Sequence, residues 1–234
     1  MHRSGAARLD PSAGKSARDA GTPVLEHVLQ RCRATAGVDV VVCATVEGAD
    51  GDAVATLVDR LGVAVYHGSE CDVLARYRGA AQAAGADVVL RVNSDCPLID
   101  PEICAAVLQL RSEAAADYAA NNMPPSWPHG LDCEAFTIDA LDEAAAAATA
   151  PDDHEHVTPW IRRHRAYHRV NLPGPGGEVV TQRWTLDHPE DLAFLRAIYE
   201  RLPGRCADRS WRAALAVFER EPQLALINET RRQR

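Results

Sequence analysis

What the 234-residue sequence lacks narrows its class before any motif is read. It contains no uninterrupted apolar run approaching the ~20 residues that a membrane helix needs, so neither a helical membrane protein nor a membrane partner is expected. Its seven cysteines (Cys32, Cys43, Cys71, Cys96, Cys104, Cys133 and Cys206) are odd in number and include no CxxC pair. Scattered mostly among apolar neighbours, they indicate neither a zinc site nor a disulfide framework and read as reduced packing residues in a reducing compartment. A basic excess is also missing: 25 Lys and Arg against 33 Asp and Glu give a net charge of -8, which argues against a general nucleic-acid binder. Residues 1–20 are polar and mixed in charge, without the apolar core of a signal peptide, so a cytoplasmic location is expected. No internal repeat is present, and the Ala-rich stretches read as helix rather than low complexity.

What remains is globular, with 47% hydrophobic and 25% charged residues, and the length suits one large α/β domain. After Thr22 and Pro23, Leu25, Val28, Leu29 and Cys32 recur at helical spacing. Residues 38–45 form a nearly continuous β-branched run, the pattern of a parallel strand covered on both faces. Val54, Leu57, Val58 and Leu61 mark a second helix, ended by Gly62. A strand at 63–66, a helix at 72–84 and an apolar strand at 86–92 follow. This alternation predicts a doubly wound, mostly parallel, Rossmann-like sheet, in which ligands lie beyond the carboxyl ends of the strands. Further on, the pattern predicts strands at 118–122, 131–138, 167–172 and 179–186, and helices at 138–148, 156–163 and beyond 189.

Polar residues at strand ends therefore carry the chemistry. Asp95 stands where the strand at 86–92 runs out, before Pro97. One such carboxylate is half of a magnesium site for a nucleotide, and equally the cap of a turn. Asp100, before Pro101, reads as the N-cap of the next helix. Asp187 repeats the arrangement, with Pro189 opening a helix behind it; it could share a cation with Asp95 or cap its own helix.

Four segments resemble a known family: GSECDVLARY at 68–77, DCPLIDP at 95–101, PHGLDCE at 128–134 with EHVTP at 155–159, and RWTLDHPED at 183–191. In this order they resemble the cytidylyltransferases grouped with the spore coat polysaccharide biosynthesis protein F, relatives of the synthetases that make CMP-sialic acid and CMP-KDO. The resemblance implies the fold of nucleotide-diphospho-sugar transferases, CTP as substrate and Mg2+ as cofactor. It implies that Asp95 and Asp187 hold the metal against the CTP phosphates, and that Ser69, Asp72 and Arg76 lie by the nucleoside. His129, Asp132 and Glu134 would face the acceptor, as would Glu155 and His156; His156 could be a general base or a packing histidine. Homodimers are common among such relatives, so a homodimer is expected.

Two departures accompany the resemblance. Family members open with an apolar strand and a triphosphate-binding loop reading approximately ARxxSxRLPGK, whereas this chain offers SGAARLDPSAGK at 4–15. Arg8 and Lys15 are the best equivalents of the loop's catalytic cations, residues 1–21 read as a flexible remnant of that loop ahead of one domain at 22–234, and the first strand is expected to be missing. Either the true start lies upstream, or the strand and with it the activity has been lost. His129 stands where the family usually has Arg. Three functions are thus weighed: a CTP-dependent transferase acting on a sugar, sugar acid or related small acceptor; a nucleotide-sugar glycosyltransferase, against which stands Asn93-Ser94-Asp95 in place of an Asp-x-Asp pair; and a catalytically silent homologue.

Overall fold

The computed structural model describes residues 7–8, 18–19, 22–204 and 209–231. A two-residue strand β1 (Ala7–Arg8) and a small antiparallel pair, β2 (Arg18–Asp19) with β3 (Thr22–Pro23), precede α1 (Val24–Ala34). Strand and helix then alternate through β4 (Val42–Val46), α2 (Ala49–Arg60), β5 (Ala64–Gly68), α3 (Val73–Ala83), β6 (Val88–Asn93) and α4 (Pro101–Glu113). The second half adds β7 (Tyr118–Ala120), β8 (Cys133–Thr137), α5 (Ile138–Ala147), α6 (Pro151–His156), α7 (Pro159–Arg163) and β9 (Arg169–Asn171). It closes with α8 (Pro189–Tyr199), α9 (Trp211–Arg220) and a 3-10 segment, Pro222–Arg231.

Seven strands form one sheet in the order β5-β4-β1-β6-β8-β7-β9, parallel except for β8, which runs against β6 and β7. Successive side chains of a strand point to opposite faces, and here both faces are covered. Cys43 packs with Leu25, Leu29, Val54 and Val58 of α1 and α2, while Val42 and Ala44 pack with Ala80 of α3. On β6, Leu90 and Val92 join α1, α4, α8 and α9, and Val89 joins α3 and α5. Two buried faces are why β4 reads as a continuous apolar run, all five of its residues being buried.

Three expectations are corrected. The central position of the sheet is not vacant: Ala7 pairs with Cys43 and Val92, and Arg8 with Asn93, so a two-residue β1 supplies main-chain partners to strands that would otherwise carry unpaired groups inside the sheet. The helix expected at 156–163 is two short ones, α6 and α7, broken at Val157, whose φ is +71°. The strand expected at 179–186 is a 3-10 turn, Gly177–Thr181, followed by an extended stretch whose partners are loops. There the Trp184 N–H donates to the His129 carbonyl and the Leu186 N–H to that of Asp95, so no ladder forms beyond the single bridge between His129 and Arg183.

The directions of the strands decide where a ligand can lie. β1, β4, β5, β6, β7 and β9 all end at one edge of the sheet, and β8 begins there. Loops 69–72, 94–100, 121–132 and 172–188 therefore gather at that edge.

Candidate active site

Asp95 follows β6 at the gathering edge. Its Oδ1 accepts the Cys96 thiol (3.2 Å), and its main-chain carbonyl accepts the Leu186 N–H (2.8 Å) and the Thr185 hydroxyl (3.2 Å). These bonds stitch the Asp95 turn to the stretch that leads into Asp187. Burial pushes the Asp95 carboxyl up to about 6, and the negative charge of Asp187 adds to that rise against the Cys96 bond and the charge of Arg91. A carboxyl whose ionisation is opposed by burial and by a second carboxylate suits a cation. Among the described residues no cluster of three or more His, Cys, Asp or Glu side chains is arranged to hold a metal. The donor set is thus two carboxylates, which fits Mg2+ completed by phosphate oxygens and water better than it fits an all-protein cage.

Asp187 is held by Arg183, whose Nη2 donates to Asp187 Oδ2. Arg183 is itself gripped by the buried Asp191, Nε to Oδ1 (3.0 Å) and Nη2 to Oδ2 (3.1 Å), and its Nη1 lies 3.3 Å from His129 Nδ1. Asp191 Oδ2 also accepts the main-chain N–H groups of Asp187 (3.1 Å) and His188 (3.0 Å), so one carboxylate opens α8 and orders the Asp187 turn. Arg183 and these hydrogen bonds hold the Asp191 carboxyl below the usual range.

Beside the carboxylates opens a cleft of about 420 Å³ lined by Arg91, Asn93, Asn122, Pro125, His129, Asp132 and Glu134. The loop carrying His129 and Asp132 is shaped from within. Asn121 donates to the Leu131 carbonyl (2.7 Å) and accepts from the Cys133 N–H (2.9 Å), and Asp132 accepts from the Gly130 N–H (3.2 Å). Gly130 has a φ of +109°, and a Cβ there would sit 2.5 Å from the Trp184 carbonyl carbon, so glycine is required. His129 and Asp132 face the cleft, their side chains 3.9 Å apart.

Glu134 lines the same cleft. It is buried at 1% exposure and accepts hydrogen bonds from Arg91 (2.6 Å), Arg162 (2.5 and 3.1 Å), Tyr118 (2.5 Å) and Thr158 (2.8 Å). Opposed by burial but outweighed by the two guanidinium charges and these bonds, its carboxyl falls to about 2. Its oxygens are engaged by these donors, so Glu134 fixes Arg91 in the cleft wall and anchors Arg162. Two arginines against one carboxylate leave that wall with a net positive charge.

Glu155 and His156 lie apart from this cleft. Both are exposed on α6, His156 pairs with Asp152 one turn back (3.5 Å), and neither lines the cleft. The member of that motif which reaches the site is Thr158, on Glu134.

Ser69, Asp72 and Arg76 lie at the same edge, after β5, but their polar groups shape the loop. Ser69 Oγ accepts the Asp72 N–H (3.0 Å), Asp72 caps α3 through the Ala75 N–H (2.9 Å) and pairs with His154 (3.1 Å), and the buried Arg76 donates to the Ser69 carbonyl (2.5 Å). Arg8, the last residue of β1, stands opposite Asn93 in register, and Lys15 lies outside the described residues.

Sequence reasoning missed Arg91, Asn93, Asn122, Tyr118, Thr158 and Arg162. One signal was available: Arg91 interrupts an otherwise apolar strand, and a charge there demands a partner.

A family model described as cytidylyltransferase matches residues 13–201. The chain is 29% identical over 235 residues to the spore coat polysaccharide biosynthesis protein SpsF of Bacillus subtilis, covering 97% of this chain and 95% of that one. Its fold is similar to that of a cytidylyltransferase from Leptospira borgpetersenii, with a TM-score of 0.86 at 24% identity over 96% of this chain and 95% of the other. It is also similar to that of a CMP:2-keto-3-deoxy-manno-octonic acid synthetase solved with CTP, with a TM-score of 0.59 at 18% identity, covering 85% and 98% of the two chains.

Proposed function

Because the chain belongs to the cytidylyltransferase family, we propose that it transfers CMP from CTP to an oxygen of a sugar, sugar acid or related small acceptor, releasing pyrophosphate, with Mg2+ held by Asp95 and Asp187. The observation that supports this reading is the joining of the Asp95 turn to the stretch that leads into Asp187, the Asp95 carbonyl accepting from the Leu186 N–H (2.8 Å) and the Thr185 hydroxyl (3.2 Å) at the strand-end edge. The bound cation would supply charge neutralisation at the phosphates. Everything else falls to alignment, because in-line attack at phosphorus asks little covalent chemistry of the protein. The acceptor sits against Asn93, Asn122, His129 and Asp132, with the Arg91–Glu134–Arg162 cluster fixing the wall behind it. The nucleoside lies over loop 69–72, whose shape is set by Ser69, Asp72 and Arg76. Arg8 and Lys15 counter the triphosphate charge. His129, within reach of Asp132, is better placed than His156 to accept the acceptor's proton. The protein works as a cytoplasmic homodimer, which light scattering after size exclusion would check.

A thermal-shift titration with CTP, UTP, GTP and ATP, with and without Mg2+, tests the reading. A ligand that binds only the folded state raises the melting temperature. Stabilisation by CTP alone, dependent on Mg2+ and lost in Asp95→Asn, is the expected result; equal response to all four nucleotides, or to none, would overturn it.

A further inference from the structure

The 3-10 segment Pro222–Arg231 buries two side chains, Leu224 and Asn228. Leu224 belongs to the apolar core, but Asn228 is an amide with no exposure at all, placed where the segment's helical geometry breaks (φ −122°, ψ 22°). Its Nδ2 donates to the Arg183 carbonyl (3.0 Å) and to Asp191 Oδ1 (3.0 Å), while its own Oδ1 has no hydrogen-bond partner. An apolar residue would avoid the cost of that unsatisfied acceptor. What the amide supplies instead is a fixed grip on the two residues that aim Asp187: Asp191 holds Arg183 at both Nε and Nη2, and the same Nη2 reaches Asp187 Oδ2.

We infer that Asn228 is a positioning residue for the metal-binding carboxylate Asp187, acting through Asp191 and Arg183, so that the C-terminal segment is part of the active-site apparatus. This rests on the proposed role of Asp187 at Mg2+. The chain of contacts runs Asn228, Asp191, Arg183, Asp187, and each link is a hydrogen bond between buried or half-buried groups. Loosening its far end frees Asp191 and Arg183 to shift, and with them the Asp187 carboxylate that Arg183 holds, away from the position at which it would meet the cation. Groups that orient a metal ligand typically govern affinity by 10–100-fold; at two steps' remove, a change of about 5-fold is expected.

The test is a MgCl2 titration of the full-length chain at saturating CTP, read as melting temperature, on the wild type, Asn228→Ala and Leu224→Ala. Leu224→Ala is the structural control: it opens a cavity under the same segment without touching the hydrogen bonds. Expected is a Mg2+ midpoint raised about 5-fold in Asn228→Ala and unchanged in Leu224→Ala, although both melt below the wild type. Should Asn228→Ala not fold, Asn228→Ser, which keeps a hydroxyl, takes its place. A midpoint within 2-fold of the wild type in the Asn228 variant, or an equal shift in Leu224→Ala, would overturn the inference. A wild type that shows no Mg2+-dependent response to CTP would instead overturn the functional reading beneath it, and this inference with it.

Discussion

Replacing Asp95 by Asn should stabilise the nucleotide-free protein while removing its metal-dependent response to CTP. The folded chain raises this carboxyl from an ordinary value near 4 to about 6, chiefly by burial. A raised carboxyl binds its proton more tightly when folded, so Asp95 costs nothing below about pH 4. Its penalty grows as the pH rises through 6 and is complete by pH 7. Two pH units correspond to about 3 kcal/mol at most. Asp95 is only partly buried and solvent screens its exposed part, so about 1–1.5 kcal/mol is expected. For a chain of this size that is a rise of about 3–5 °C in Tm. Asn keeps an oxygen for the Cys96 thiol, so no other bond need be lost. Paired melts of wild type and Asp95→Asn at pH 7.5 and 3.5 measure the effect: the variant should melt higher at pH 7.5 and level with the wild type at 3.5, and CTP with Mg2+ should reverse the order at pH 7.5. A variant melting at or below the wild type at pH 7.5, or a gap of the same size at pH 3.5, would refute the reasoning.

The opposite sign is expected at Glu134, whose carboxyl is depressed to about 2. Its contribution is complete above about 4.5 and lost as the pH falls toward 2, and Glu134→Gln, which strands two arginine charges, should cost about 3–5 kcal/mol in urea unfolding at pH 7. Gly130→Ala meets both a positive φ and the Trp184 main chain, so about 1–3 kcal/mol and a weakened acceptor KM are expected, with kcat/KM for CTP itself less affected. His154 donates to Asp72 and faces the Ala148 carbonyl, which lifts its pKa above the usual value; NMR titration should show that Asp72→Asn lowers it. This clasp is whole below pH 6.5 and opens as the pH rises through the raised value, so hydrogen exchange in α6 should quicken there.

The parallel half of the fold was legible because burial on both faces writes itself as unbroken apolar runs, and helix starts such as Asp72 and Asp100 carry side chains that accept from the first-turn N–H groups. Asp95 and Asp187 were legible as candidates for a related reason, Asp95 following the apolar strand β6 and Asp187 a run of buried residues. Glu134 and Arg162 were not, since their pairing joins positions 28 apart through a fold that local pattern does not encode. The stretch at 179–186 misled because its alternating bulky residues satisfy their main chain on loops rather than on a strand, and periodicity cannot tell the two apart. Asn228 left no trace, a lone amide between the apolar run Leu224-Ala-Leu-Ile227 and Glu229.

The reversed direction of β8 has an evolutionary consequence. Because it runs against β6 and β7, the residues between Ala120 and Cys133 leave the sheet and return to it at the same edge, tied at both feet by Asn121. A loop anchored in this way can be lengthened or rewritten with only a slowly growing entropic penalty, and without shifting the register of β6, which leads to Asp95. Acceptor choice is thereby separable from nucleotidyl chemistry, and the fold can change its clientele while keeping its reaction.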